Sequence, residues 1–187
     1  MNPTYIVIGV VLFFVFLFIF LYNRIVKLRN NRKNAFADID VQLKQRHDLI
    51  PQLVETVKGY AGHEKELLTK VTEARSGAMK ATSINDKIAS ENQLTASLRS
   101  FNIAVEAYPD LKANQNFLQL QEELADIENK LAAVRRYFNA ATTEYNNSVE
   151  TFPANIIAGM FSFKKEPFFD LGEDQRKQLD QAPKIQF

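Results

Sequence analysis

The hydrophobic positions of this chain fall into two regimes. From Tyr5 to Tyr22 every residue is apolar or aromatic apart from Gly9, and no charge occurs between Met1 and Asn23. As a helix this run reaches roughly 27 Å, close to the hydrocarbon thickness of a bilayer. A buried core helix would carry a polar stripe, and this run has none. A cleaved signal peptide would carry a basic leader and a small-residue cleavage site. Here nothing before the run is basic, while Arg24, Lys27, Arg29, Arg32 and Lys33 follow it directly. Tyr5 and Tyr22 stand at its ends, where amphipathic rings favour the interface. The pattern predicts a retained transmembrane anchor over residues 5–23, with residues 1–4 as a short extracytoplasmic tip.

Beyond Asn23 the apolar residues recur every three or four positions, and strand-like alternation is absent. A first seam runs Phe36, Ile39, Leu43, Ile50, Leu53, Val57 and Tyr60, with Arg46 as its polar member. A second, from His63 to about Lys80, carries Leu67, Val71, Ala74 and Ala78. A third, Ile84 to Tyr108, carries Ile84, Ile88, Leu94, Leu98, Phe101, Val105 and Tyr108. The fourth, from about Lys112 to Glu150, is the most regular: Phe117, Leu120, Leu124, Ile127, Leu131, Val134, Phe138, Ala141 and Tyr145. Such steps suit helices packed at a shallow crossing angle, and short connections between them favour antiparallel neighbours. Gly59, Gly62, Gly77 and Tyr108-Pro109 mark the turns. The expectation is an all-α chain: an N-terminal transmembrane helix followed by an elongated antiparallel four-helix bundle over 24–150, then an aromatic-rich C-terminal segment and tail over 151–187. The first soluble helix is expected to continue out of the anchor. Pro51 lies inside it, where the ring removes a hydrogen bond and crowds the carbonyl of His47; a kink is favoured over a fresh start, because the seam keeps its phase.

Charge sets the orientation. The collar Arg24 to Lys33 contains no acid, since the first is Asp38, and positive flanks stay on the cytoplasmic side. A single-pass protein of the bacterial cytoplasmic (inner) membrane, N-terminus out and helical domain in the cytoplasm, is the expected placement. The chain of 187 residues has 23 basic and 22 acidic side chains, all beyond Asn23, so its soluble part lacks the basic excess of a nucleic-acid surface. Cysteine is absent, which excludes a disulfide frame, a thiol nucleophile and a thiolate metal site.

The stretch Asp40 to Ala61, DVQLKQRHDLIPQLVETVKGYA, with His63-Glu64 after it, resembles the signature region of the LemA family of bacterial membrane proteins. The resemblance continues at Tyr108-Pro109-Asp110-Leu111-Lys112-Ala113-Asn114, at Leu120-Gln121-Glu122-Glu123-Leu124 and at Glu128-Asn129-Lys130. It extends through Tyr137-Phe138-Asn139 and Tyr145-Asn146 to Phe152-Pro153, and covers the chain from the anchor to about Phe169. It implies an N-terminal membrane anchor and a long helical bundle, with no established enzymatic activity. Gln45, where the family often has a basic residue, and Phe138, where it often has tyrosine, depart from the pattern without affecting the expected fold.

A direct search for catalytic chemistry returns none. The two histidines, His47 and His63, form no His-Glu-x-x-His motif, and no Glu-x-x-His pair suits a di-iron site. Neither a phosphate-binding glycine loop nor a glycine-flanked serine is present. No catalytic residue, cofactor or metal is therefore assigned, and His63-Glu64 reads as a helix start whose early glutamate complements the helix dipole. The polar residues on apolar seams carry more information. A buried Arg46 needs a carboxylate, and Asp48, Glu55, Glu122 and Glu128 are within reach by sequence or by helix pairing. Two readings stay open: Arg46 reaches the bundle edge, or it forms an internal or intersubunit ion pair that fixes register. Asn139 and Asn146 share one helix face and suit hydrogen bonds across helices.

After Glu150 the chain concentrates phenylalanine. The segment Ile156 to Phe163 is too short to span a membrane, and Lys164 and Lys165 beside it suit anionic headgroups. Ile156, Ile157, Phe161, Phe163, Lys164 and Lys165 are thus candidates for contact with the membrane or a neighbouring subunit, against the alternative that the segment caps its own bundle. The expected function is a non-enzymatic, membrane-anchored helical scaffold acting through protein and membrane contacts, in envelope organisation or membrane remodelling. Its expected partners are the membrane, further copies of itself and other membrane or envelope proteins, without nucleic acid. The competing reading is a membrane-bound sensor or adaptor that takes a small ligand or metal near His47 and His63.

Overall fold

The computed structural model describes residues 3–59 and 65–169. Among the described residues the chain is all-helical, with no strand. Helix α1 runs without interruption from Pro3 to Lys58, so the apolar run and the first soluble seam belong to one helix. It passes through Pro51, and no fresh start occurs there. The helix survives because the missing N–H costs one bond, while Ile50 and Leu53 on either side are almost fully buried.

Helix α2 spans Lys65–Lys80 and α3 spans Ile84–Val105. Ser83 caps α3: its Oγ accepts the Asp86 amide at 3.0 Å and donates to the Asp86 carboxylate at 2.6 Å. The fourth helix, expected from about Lys112 to Glu150, starts three residues later and is preceded by a separate turn. Helix α4 is a single turn, Pro109–Lys112, with proline at its start, and α5 runs Gln115–Glu150. The division arises at Asn114, whose Oδ1 accepts the Phe117 amide at 3.1 Å and caps the new helix. The third helix stops at Val105 rather than Tyr108, because Pro109 disfavours helical angles in the residue before it. A short helix α6, Ala154–Met160, follows α5.

Two compact units divide the chain: one made of residues up to Asp40 with Ala133–Phe168, the other centred on Val41–Ala132. In the second unit Ile50, Leu53, Val71, Leu94, Phe101, Leu111 and Phe117 form the core. In the first, Leu21, Ile25, Tyr145, Val149, Ile157 and Ala158 pack together. The apolar run is different in kind. From Pro3 to Phe20 every residue is exposed except the half-buried Leu17, so the run shows apolar surface on all sides. By length and composition α1 can cross a membrane.

Candidate functional site

Two buried arginines organise the polar interior, one in each unit. Arg46 is 1% exposed on the α1 seam, between Leu43 and Ile50. Its Nη1 donates to the Glu91 carboxylate at 3.2 Å, and its Nη2 to Thr95 Oγ1 at 3.0 Å and to Glu128 at 2.6 Å. Glu91, itself almost fully buried, also meets His47 Nε2 at 2.6 Å. The Arg75 Nε–H donates to the His47 carbonyl at 2.7 Å, which ties α2 to the same point. Residues of α3 and α5 thus converge on the Arg46 guanidinium, α3 also meets the His47 imidazole, and α2 holds the His47 backbone.

Of the residues read from sequence, Arg46 and Glu128 meet and Asp48 does not join them. Asp48 is exposed and pairs with Lys44 one turn away at 3.2 Å, while Glu55 pairs with Lys58. The principal partner is Glu91, which the sequence reading passed over. It stands on the α3 seam, three residues after Ile88 and three before Leu94, and an acid at that phase was the signal available. His63 and the turn around it lie outside the described residues. A groove of about 630 Å³ opens beside the cluster, lined by Arg46, Thr95, Leu98, Phe117, Leu124 and Glu128 among others. Its rim mixes Arg99 and Lys112 with Glu106, so no single ligand charge is selected. Among the described residues no three of His, Asp and Glu gather as a metal-holding group.

The second arginine, Arg32, was counted with the membrane collar, yet only 5% of it is exposed. Its Nε donates to Thr142 Oγ1 at 3.0 Å, Nη2 to the Pro167 carbonyl at 2.9 Å, and Nη1 pairs with Glu166 at 3.3 Å. The guanidinium also lies 4.8 Å from the Phe138 ring centroid. Burial lowers its pKa from the ordinary arginine value, and the Glu166 carboxylate works against that. Asn146, likewise buried, binds the backbone of Glu166 on both sides: Nδ2 donates to its carbonyl at 3.0 Å and Oδ1 accepts its amide at 2.9 Å. Asn139 is half-buried on the same helix.

The C-terminal segment is therefore held against its own first unit. Ile157 and Ala158 are buried with Leu21, Ile25 and Val149, and Lys165 pairs with Glu150. Phe163 is half-buried, 6.0 Å from Tyr22 and 5.8 Å from the Arg29 guanidinium. Ile156, Phe161 and Lys164 remain exposed.

The chain was compared with known proteins. Residues 35–187 match the model of the LemA family. "Protein LemA" of Metamycoplasma hominis is 29% identical over 91% of this chain and 81% of its own length. "Magnetosome protein MamQ" of Magnetospirillum gryphiswaldense and "Magnetosome protein MamQ 2" of Paramagnetospirillum magneticum are each 21% identical over 79% of this chain. The chain spans 64% of the length of those two magnetosome proteins. With a family match over residues 35–187, well over half of its length, the chain belongs to the LemA family.

Proposed function

We propose that this protein is a single-pass, membrane-anchored helical scaffold whose body lies in the cytoplasm and works through contacts with the membrane, with further copies of itself and with other membrane proteins. One observation carries the reading. Helix α1 exposes apolar surface on every side up to Phe20, and the same helix then becomes amphipathic and buries Ile39, Leu43, Ile50 and Leu53. A helix that is apolar all round belongs in lipid, and one with a single apolar stripe belongs against other helices. In this reading the body is an antiparallel bundle. Its support is the pairing of α1 with α5 inside the first unit, where positions rise on one helix as they fall on the other: Arg32 meets Thr142 and Phe36 meets Phe138.

Orientation rests on the exposed basic residues Arg24, Lys27, Arg29 and Lys33, which follow the span before any acid. The enzyme and sensor readings lack comparable support: the Nε2 of His47 is already engaged by the buried Glu91 carboxylate. Topology is tested with the cysteine-free chain by Asn2→Cys and Ser97→Cys. An impermeant thiol reagent should label position 2 on intact cells, after opening any outer membrane, and position 97 only after lysis. Labelling of position 97 with the inner membrane intact reverses the orientation.

A further inference from the structure

The chain after α5 approaches the end of the apolar span and then climbs away from it. Phe161 lies with its ring centroid 4.7 Å from Tyr22 and 6.1 Å from Phe18. Phe163 sits 6.0 Å from Tyr22 and stacks under Arg29, and Glu166 reaches Arg32. The C-terminal residue numbers therefore rise together with those of α1, moving out of the apolar run into the basic collar. Phe18 is one helical turn, roughly 6 Å, inside the Tyr22 limit of the span. A side chain that rests on Phe18 is below the level at which the first charge, Arg24, meets water.

At that level α6 turns Ile156 and Met160 outward, together with Gly159 and the one exposed polar residue of the helix, Asn155. Its inner face is committed to the core through Ala154, Ile157 and Ala158. Ile156 is 56% exposed, Met160 68% and Phe161 47%, and no charged residue occurs from Thr151 to Phe163. Arg24 and Lys27, just past the span on α1, and Lys164, just after α6, are exposed cations. An apolar face continuous with a membrane span, with exposed cations close by in sequence, has the composition of an interfacial segment.

We propose that α6 is a second membrane contact of this chain, in which Ile156, Met160 and Phe161 enter the headgroup–acyl boundary of the bilayer that α1 crosses, with Arg24, Lys27 and Lys164 among anionic headgroups. This rests on the reading of α1 as the anchor. The outcome is a protein held at two points: one helix through the bilayer, and one short helix lying in its cytoplasmic surface.

The protein contains no tryptophan, so single tryptophans report depth without background. Met160→Trp and Ile156→Trp place the probe on exposed positions, where the fold does not depend on the replaced side chain. Phe13→Trp reports the span and Leu118→Trp the water-exposed body. Each full-length variant is reconstituted into phosphatidylcholine–phosphatidylglycerol vesicles whose acyl chains carry bromine either near the headgroup or near the chain end. Tryptophan at 160 and 156 should emit at blue-shifted wavelengths and lose most of its intensity to the shallow bromines, with less loss to the deep ones. Tryptophan at 13 should be quenched by the deep bromines, and at 118 by neither. Water-like, unquenched emission at 160 and 156 with normal quenching at 13 overturns the α6 contact and leaves the anchor standing. Blue-shifted emission at 160 that neither bromine quenches, at any protein-to-lipid ratio, assigns the patch to a neighbouring subunit and also overturns it. Loss of quenching at 13 as well means that the anchor reading itself has failed.

Discussion

Replacing Glu91 by alanine removes the carboxylate shared by Arg46 and His47 while leaving both bases buried. Two contacts change at once. The Arg46 pair at 3.2 Å is lost with both side chains nearly sealed from water, and the His47 ring nitrogen loses its partner at 2.6 Å. Breaking a buried ion pair by deleting one member costs about 3–5 kcal/mol, because the remaining charge stays desolvated. Glu128 at 2.6 Å and Thr95 at 3.0 Å still hold Arg46, which keeps that cost near the lower end. The unsatisfied imidazole adds about 1 kcal/mol. A total of roughly 4 kcal/mol lowers Tm by roughly 8–16 °C for a chain of this size. The assay is thermal unfolding of the full-length protein in detergent micelles, followed by far-UV circular dichroism. Asp48→Ala, which removes only an exposed pair with Lys44, should melt close to the parent. The double variant Arg46→Met with Glu91→Leu removes both charges and should recover about half of the loss or more, because the penalty comes from an uncompensated charge rather than a missing bond. A double variant that melts as low as Glu91→Ala would refute that reasoning, and a single variant that melts with the parent would remove the cluster from the stability account.

Two further expectations concern the first unit. Asn146→Ala deletes both hydrogen bonds to the Glu166 backbone, costing about 2 kcal/mol at about 1 kcal/mol each, and should strip the Glu166 amide of its protection from hydrogen exchange. Unchanged exchange at that amide would show that Arg32 alone retains the segment. The Tyr145 phenol is held above its ordinary pKa of 10.0, first by burial and then by the Glu166 carboxylate, with Arg29 and Arg32 opposing. The folded state therefore keeps a proton that the unfolded chain releases, and stability should fall as pH rises beyond about 10. Tyr145→Phe should flatten that fall in melts taken across the alkaline range, and an identical slope in both proteins would exclude the phenol as its source.

What could be read from the sequence follows from periodicity. Ile39, Leu43, Arg46, Ile50, Leu53 and Val57 are all buried, as are Phe117, Leu120, Ile127, Leu131, Phe138, Ala141 and Tyr145. A three-four spacing fixes which face of a helix is covered, whatever covers it. The same arithmetic would have found the missed polar residues. Arg32 stands seven positions after Ile25 and seven before Ile39, both fully buried, and Glu91 occupies the equivalent phase on α3. Arg32 was read by its charge, as a membrane-collar residue, rather than by its phase, and Glu91 was passed over because only apolar residues were placed on the α3 seam. The break at Asn114 depends on a side-chain cap that competes with helix continuation, and nothing in the apolar pattern registers it. Glu166 was out of reach for another reason: it lies in a segment without periodicity, brought back by the turn through α6.

The make-up of the two units has a consequence for biogenesis. The unit centred on Val41–Ala132 is almost contiguous, whereas the other joins residues before Asp40 to residues after Ala133. Arg32 is made early, whereas Thr142 and Pro167, which help to enclose it, follow 110 and 135 residues later. During synthesis the contiguous unit has its partners at hand first, and the long loop-closure step of the other waits until residues 142–167 have been made. Until then a guanidinium destined for the interior faces solvent just beyond the apolar run, where it adds to the positive charge of the collar. On the proposed topology, Arg32 serves in succession as part of the orienting charge during insertion and as an interior ion-pair partner after release. Nascent chains stalled within α5 should accordingly protect the contiguous unit from protease while leaving the segment around Arg32 open to cleavage; protection of both at that length would contradict this order.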